Sequence, residues 1–462
     1  MKVKPTIQQN NAITTKNKTL LVSAGAGSGK TTVLTKRLID YIKNGGDITR
    51  FLVVTFMNAA AADVKEKLHN ALLKELSADP ENKHLYRQTQ LVSEANVCTI
   101  SSYCLGLVKE NFALLGISPK VRVLDETESA VILRRVTDEL IHQGYDEEDP
   151  SFLLLADNFT GDKNDEKLAD VMMNLYKTLQ VVLGREELLK DCSKRLRQDG
   201  ETTRNNGFFQ SEMGKELKSR LTVVYDRLLE SAEEIYNLGC GCGDDRYVAN
   251  LEVVYNICKN LRTSLDDNYV NYLSAAQESL STPTFYQYKC DKETHEYIKT
   301  VKADIAKALK DCYNSYCGGN ESVIADSFDK TADIIDSINS FINSMDAKFK
   351  TAKLEINALD YSDFELFALE LLETTDESGN KVPTELCLRK QSEFDEILID
   401  EYQDVNPLQD KLFALLSGRS QRFMVGDVKQ SIYRFRNAYP GIFLGYKKDF
   451  PEISKAENSK TA

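Results

Sequence analysis

The chain has 462 residues, 42% hydrophobic and 28% charged, with a formal net charge of −13. That length accommodates two or three domains with cores of their own, it lacks any run of about 18 apolar residues that could span a bilayer, and its acidity argues against wholesale coating of nucleic acid. The charge is uneven: residues 1–115 carry 15 basic and 9 acidic side chains, residues 116–355 carry 30 and 43, and residues 356–462 carry 13 and 19, so a local basic groove is still allowed.

The N-terminus, Met1-Lys2-Val3-Lys4-Pro5, runs into polar residues without an apolar signal core, so a cytoplasmic protein without a membrane role is expected. The first strand expected is Leu20–Ser23. It leads into Ala24-Gly25-Ala26-Gly27-Ser28-Gly29-Lys30-Thr31, and a helix follows from Lys30 to Lys43, ending at Gly45-Gly46. Strands are expected next at Phe51–Phe56 and Val97–Ile100. From about residue 116 to 355 strand-like runs become rare. Segments such as Glu128–Ile141, Asp165–Val182 and Glu216–Leu238 carry apolar residues at helical spacing, with breaks at Gly239–Asp245 and Gly318-Gly319-Asn320. Two further strands, Glu396–Asp400 and Arg422–Gly426, follow. Short apolar strands separated by helical patterns describe an α/β fold with a parallel sheet covered on both faces. The domains read as 1–115 and 356–462, two parts of one α/β unit, with 116–355 an all-helical insertion. The ten cysteines are scattered and read as free thiols, and with four His no metal centre is expected from them.

The special residues cluster after strand ends, where ligands bind in such sheets. Strand, glycine-rich turn, Gly-Lys-Thr and helix make a P-loop arrangement: backbone N–H groups wrap an anion, and the helix N-terminus favours negative charge. Lys30 is placed to reach the β and γ phosphates of a nucleotide, and Thr31 to ligate Mg²⁺. Ala24, Gly25, Ala26, Gly27, Ser28, Gly29 and Thr32 complete that cradle, Ala24 standing where the first glycine is usual. Asp400, at the tip of an apolar strand, is placed to hold the metal, and Glu401 to orient and deprotonate an attacking water. Phe56, Tyr103, Tyr433 and Phe435 offer aromatic faces, with Arg434 and Arg436 as cations beside two of them. Base stacking on single strands uses that pairing, although an aromatic at a strand end is by composition more often core.

These segments, in this order, resemble the UvrD/Rep/PcrA-type superfamily 1 DNA helicases, and within them the larger subunits of AddAB-type helicase–nucleases. Gln9-Asn10-Asn11-Ala12-Ile13 resembles the glutamine motif, Thr55–Ala62 the first DNA-contacting motif, Thr99–Cys104 the next, and Asp360–Phe364 the segment re-entering the first domain. Asp400–Asp404 and Gly426–Arg436 complete the set. Ser101 stands where His is usual, and Asp63 and Lys67 replace Glu and Arg.

The resemblance implies a RecA-like P-loop NTPase domain (motor domain 1A) interrupted by a helical insertion (1B). It implies ATP and Mg²⁺ as cofactors and Gln9 reading the adenine. Gln430 would sense the γ phosphate, with Gln403 sharing that relay. Thr55, Phe56, Asn58, Ser102, Tyr103, Tyr433, Phe435 and Arg436 would contact DNA. The partners implied are single-stranded and duplex DNA and an AddB-like subunit. The implied activity is ATP-driven 3′→5′ translocation on single-stranded DNA in double-strand break repair. A second RecA-like domain and a nuclease domain are expected outside these residues, so the chain alone should bind nucleotide yet hydrolyse it slowly. A stand-alone UvrD-like helicase and a non-catalytic nucleotide- or DNA-binding module are the alternatives.

Overall fold

Phe51-Leu52-Val53-Val54 and Ile397-Leu398-Ile399 are unbroken apolar runs, the pattern of strands buried on both faces. The computed structural model, which describes residues 5–25, 27–160, 165–281, 290–418, 421–431 and 437–453, places them at the centre of a five-stranded sheet. Its strands in chain order are β1 (Leu20–Ser23), β2 (Phe51–Thr55), β3 (Asn96–Thr99), β4 (Arg122–Val123), β5 (Ala358–Leu359), β6 (Glu373–Thr375), β7 (Lys381–Pro383), β8 (Glu396–Ile399) and β9 (Gln421–Gly426). The main sheet runs β1-β9-β8-β2-β3 and all its pairings are parallel. Alternate residues feed two cores. Leu52, Val54, Ile397, Ile399 and Met424 face one; Phe51, Val53, Leu398, Phe423 and Val425 face the other. The strand order sets the C-terminal ends of β1, β9 and β8 side by side, although residues from more than 370 positions apart meet there.

Capping residues fix the helices that carry this sheet. Thr6 and Gln9 form a capping box at α1 (Ile7–Thr14), and Gly29 starts α2 (Lys30–Lys43). Asn58–Ala78 (α3), Lys83–Leu91 (α4) and Ile100–Glu110 (α5) follow, the last capped by Thr99. Later capping boxes, Asp360/Asp363 and Asn406/Gln409, start the helices Tyr361–Leu372 and Pro407–Ser417.

One buried ion pair ties the first layer to the sheet. Arg37, on α2, is 1% exposed. Its Nε and NH2 bond the two Glu396 carboxylate oxygens at 2.9 and 2.5 Å, its NH1 donates to the Ala12 carbonyl at 2.6 Å, and its guanidinium lies 4.6 Å from the Phe423 ring centroid.

The chain separates into two compact units: Met1–Gln143 with Asp165–Arg185 and Ile342–Ala462, and Gly144–Asn164 with Glu186–Phe341. The boundaries fall inside the helical stretch seen in the sequence, because helical residues on either side of it pack with the sheet. In the first unit β4 pairs with β5, so Arg122 lies beside Ala358. Just there, the buried Lys353 ammonium bonds Asp360 at 3.0 Å and Asp363 at 2.6 Å, and Ser129 Oγ donates to Asp360. The second unit is helical throughout its described residues. Phe208, Phe209, Tyr225, Tyr247, Tyr269 and Tyr272 fill its core, and Arg197 and Arg204 pair with aspartates of Glu321–Glu355. Cys242 and Cys290 form a disulfide there, a correction to the expectation that every thiol is free; the other eight cysteines are free. Among the described residues no helix is long and apolar enough to cross a membrane.

Candidate functional site

The turn after β1 is shaped for close approach. Gly27 and Gly29 adopt φ of 71° and 83°, left-handed values that cost an L side chain energy. Ala24 N–H donates to the Gly426 carbonyl at 3.0 Å, prolonging the β1–β9 ladder, and Ser28 N–H closes back on the Gly25 carbonyl at 3.2 Å. No side chain caps α2, so the N-terminal amides above Lys30, Thr31 and Thr32 lack an internal acceptor of that kind. That is the geometry of an anion cradle. Ser28 Oγ is buried with no hydrogen-bond partner. Gln9 Nε2 donates to the Ser28 carbonyl at 2.8 Å while Gln9 Oε1 accepts from Thr6 N–H at 2.9 Å, so the structure sets Gln9 against the loop itself. Ala26 lies outside the described residues.

The acidic turn after β8 meets this loop from the other side. Asp400 N–H donates to the Val54 carbonyl, extending the ladder one residue beyond the strand. Glu401 then takes φ 52°, ψ 45°; a non-glycine residue there stores strain, commonly at functional positions. This kink aims its carboxylate at the loop: Lys30 Nζ lies 2.6 Å from Glu401 Oε2. Gln403 Nε2 donates to the same oxygen at 2.8 Å. Gln403, 1% exposed, accepts the Asp427 N–H at 2.8 Å. Asp427 Oδ2 accepts from Gln430 Nε2 at 2.6 Å, and Gln430 Oε1 accepts from Lys30 Nζ at 3.4 Å. Five residues from three chain segments thus close a ring. Burial, and then the adjacent Glu401 carboxylate, push the Asp400 carboxyl above the usual range. The Gln430 hydrogen bond and the Lys429 amide hold Asp427 below it.

Gly426 is where these segments come closest. A Cβ there would overlap Gln403 Oε1, and would lie 2.9 Å from Phe443 and 3.1 Å from the Gln403 nitrogen. Gly426→Ala is therefore expected to cost about 1–3 kcal/mol of stability, read as a lowered thermal midpoint.

Thr31 and Asp400 supply hard oxygen donors, the type Mg²⁺ prefers, and crowded carboxylates at Asp400 and Glu401 are relieved by a nearby cation. Among the described residues no group of three or more His, Cys, Asp and Glu gathers as a metal cage, which matches a cation that keeps most of its waters. The residues therefore fit Mg²⁺.

Further along the sheet, the ends of β2 and β3 form a second cluster. Thr55 Oγ1 donates to the Met57 carbonyl at 3.0 Å, Thr99 Oγ1 lies 2.8 Å from Ser102 Oγ, and Ser102 Oγ lies 3.5 Å from Asn58 Oδ1. Phe56 is half-buried and Asn58 exposed. Tyr103 packs inward, its ring 6.2 Å from Phe394 and its buried hydroxyl without a hydrogen-bond partner. Tyr433, Phe435 and Arg436 lie outside the described residues.

Sequence reasoning assigned no role to Asp427, Asp404 or Ser431. Asp404 accepts from Gln403 Nε2 and Ser431 Oγ, both at 3.1 Å. Asp427 carried a usable signal: a carboxylate one residue past β9, as Asp400 is one residue past β8.

The family described as the UvrD/REP helicase N-terminal domain matches residues 6–451. The A-subunit of the ATP-dependent helicase/nuclease of Clostridium acetobutylicum is 32% identical over 475 residues, covering 98% of this chain and 38% of that protein. The protein of the same name from Clostridium beijerinckii is 34% identical over 455 residues, 95% of this chain and 36% of its own. That from Thermoanaerobacter sp. (strain X514) is 33% identical over 476 residues, 100% and 38%. The chain spans less than two-fifths of the length of these relatives.

Proposed function

The chain belongs to the UvrD/REP helicase N-terminal domain family, and on that premise we propose that it is the ATP-binding motor portion of the larger subunit in an AddAB-type helicase–nuclease. The observation that carries this reading is the ring joining Lys30, Glu401, Gln403, Asp427 and Gln430. It joins a phosphate cradle, a water-activating carboxylate and two amides, parts that couple nucleotide state to a second segment. Residues 1–115 and 356–462 would constitute motor domain 1A, RecA-like, and 116–355 its insertion 1B.

Bound Mg²⁺ would be held by Thr31 and Asp400, and supplies charge neutralisation on the transferring phosphate. The chain's own groups do the rest. Loop amides and Lys30 bind and orient the β and γ phosphates. Glu401 Oε2, already a hydrogen-bond acceptor for two groups, takes the proton of the attacking water. Gln430 contacts both Lys30 and Asp427, so a change at the phosphate reaches β9 and Ser431. Gln9 is placed at the nucleotide side of the loop, where an adenine would draw its amide from Ser28. Thr55, Phe56, Asn58 and Ser102 would grip single-stranded DNA at neighbouring strand ends, together with Tyr433, Phe435 and Arg436. Tyr103 would support that surface from within.

In the full-length protein a second RecA-like domain would supply arginine fingers, each worth about 10³–10⁵ in rate for related phosphoryl transfers. The 462 residues alone are expected to bind Mg²⁺-ATP with turnover far below one per second, with or without single-stranded DNA. Lys30→Ala should weaken that binding roughly 10–100-fold, the loss of a charge-assisted contact. Titration with a fluorescent ATP analogue and a phosphate-release assay make the test. DNA-stimulated turnover of several per second by this chain would reject the reading of an incomplete motor. Co-purification of an AddB-like subunit with the full-length protein, and 3′→5′ unwinding by the pair, would distinguish it from a stand-alone helicase.

A further inference from the structure

The ring accounts for one route out of the nucleotide site, through Asp427 and Gln430. A second connection runs through the core on the opposite flank. Glu365, on the helix Tyr361–Leu372, is 6% exposed. Its Oε1 accepts from Ser101 Oγ at 2.8 Å and from Gln409 Nε2 at 3.0 Å. Gln409 is the N3 residue of the capping box that starts Pro407–Ser417, the helix following the Asp400–Asp404 turn; its N–H donates to Asn406 Oδ1 at 2.8 Å. Ser101 lies in the first turn of α5, one residue from Ser102, which reaches Asn58 at the end of β2.

This carboxyl is unusual for its surroundings. Its partners, Ser101, Gln409 and Asn406, are all neutral, and burial pushes the group up from its ordinary range. A core position keeps such a group at a cost unless its bonds specify an arrangement. The arrangement specified here is the register of two helix N-termini: one leaves the acidic turn, the other begins at the strand-end cluster. Because both bonds end on one oxygen, the two helices cannot shift independently without breaking one of them.

We propose that Glu365 is a positioning residue that couples the nucleotide-side turn at Asp400–Asp404 to the DNA-side segment Thr99–Tyr103. The inference rests on the helicase reading above. It deepens that reading by naming a group that touches neither ligand yet transmits between them.

The test is a linkage measurement on the full-length protein with its partner subunit. Single-stranded oligonucleotide affinity is measured with and without a non-hydrolysable ATP analogue. The ratio is the coupling factor, and it must equal the factor by which DNA changes analogue affinity. Expected results are a wild-type coupling factor clearly different from one, its collapse to within twofold of one in Glu365→Met, and basal ATPase without DNA within about threefold of wild type. Ser101→Ala should reduce the factor in the same direction, and Glu365→Gln, which keeps an Oε1 acceptor, should retain most of it. If Glu365→Met retains the wild-type factor, the proposal is overturned. If Glu365→Met does not fold, Ser101→Ala decides, and an unchanged factor overturns the proposal equally. Failure of wild type to bind the analogue or the oligonucleotide would overturn the helicase reading itself, a distinct result.

Discussion

Replacing Glu401 with Gln in the full-length protein is expected to lower DNA-stimulated ATP turnover by about 10²–10⁴-fold, the usual contribution of a positioned general base. Nucleotide binding should survive. Lys30 Nζ lies 2.6 Å from the Glu401 carboxylate, so that carboxylate and an incoming phosphate compete for one ammonium. An amide is the weaker competitor, and the dissociation constant for Mg²⁺-ATP should stay level or fall. Pre-steady-state phosphate release, with equilibrium titration alongside, separates the two effects. Normal turnover in Glu401→Gln would show that another group takes the proton. Weakened binding would show that the Lys30–Glu401 pair is needed to shape the cradle.

Arg37→Met is expected to destabilise the sheet unit by about 3–5 kcal/mol, the range for leaving a buried charge without its partner. Glu396 is 7% exposed and would retain its carboxylate, while the Ala12 carbonyl would lose its donor. Replacing both partners, as Arg37→Met with Glu396→Leu, should recover much of that loss, because two apolar side chains leave no orphaned charge. Urea denaturation followed by hydrogen exchange at the amides of β1, β8 and β9 assigns the loss to this unit. Equal destabilisation in the single and double variants would mean that packing against Phe423, rather than charge, dominates.

The sheet was legible because buried parallel strands leave unbroken apolar runs. Leu20–Ser23 is the strand found, and the other four main strands shift by at most one residue at either end. The glycine-rich loop was legible because its chemistry is local: a phosphate cradle needs its residues contiguous. What could not be read are pairings across hundreds of residues. Nothing near Arg37 announces Glu396, and nothing near Ser101 announces Glu365, since neither partner lies within a helical turn or a hairpin. Gln9 shows a further limit, because the amide expected to face a base also bonds the loop backbone. The cysteines misled for the same reason: Cys240 and Cys242 are the neighbours in sequence, yet Cys242 pairs with Cys290.

The position of β9 also governs the order in which the molecule is made. In the main sheet β1 has β9 as its one neighbour, and β9 ends the strand sequence. Some 400 residues must therefore leave the ribosome before the glycine-rich loop gains the strand that supports it. At about 5–20 residues per second that is a wait of roughly 20–80 s. Over that interval β2 and β3, whose pairing needs only the first hundred residues, can already be joined. The nucleotide cradle, although encoded first, is completed among the last parts of the sheet, and nascent chains released before residue 421 cannot present it.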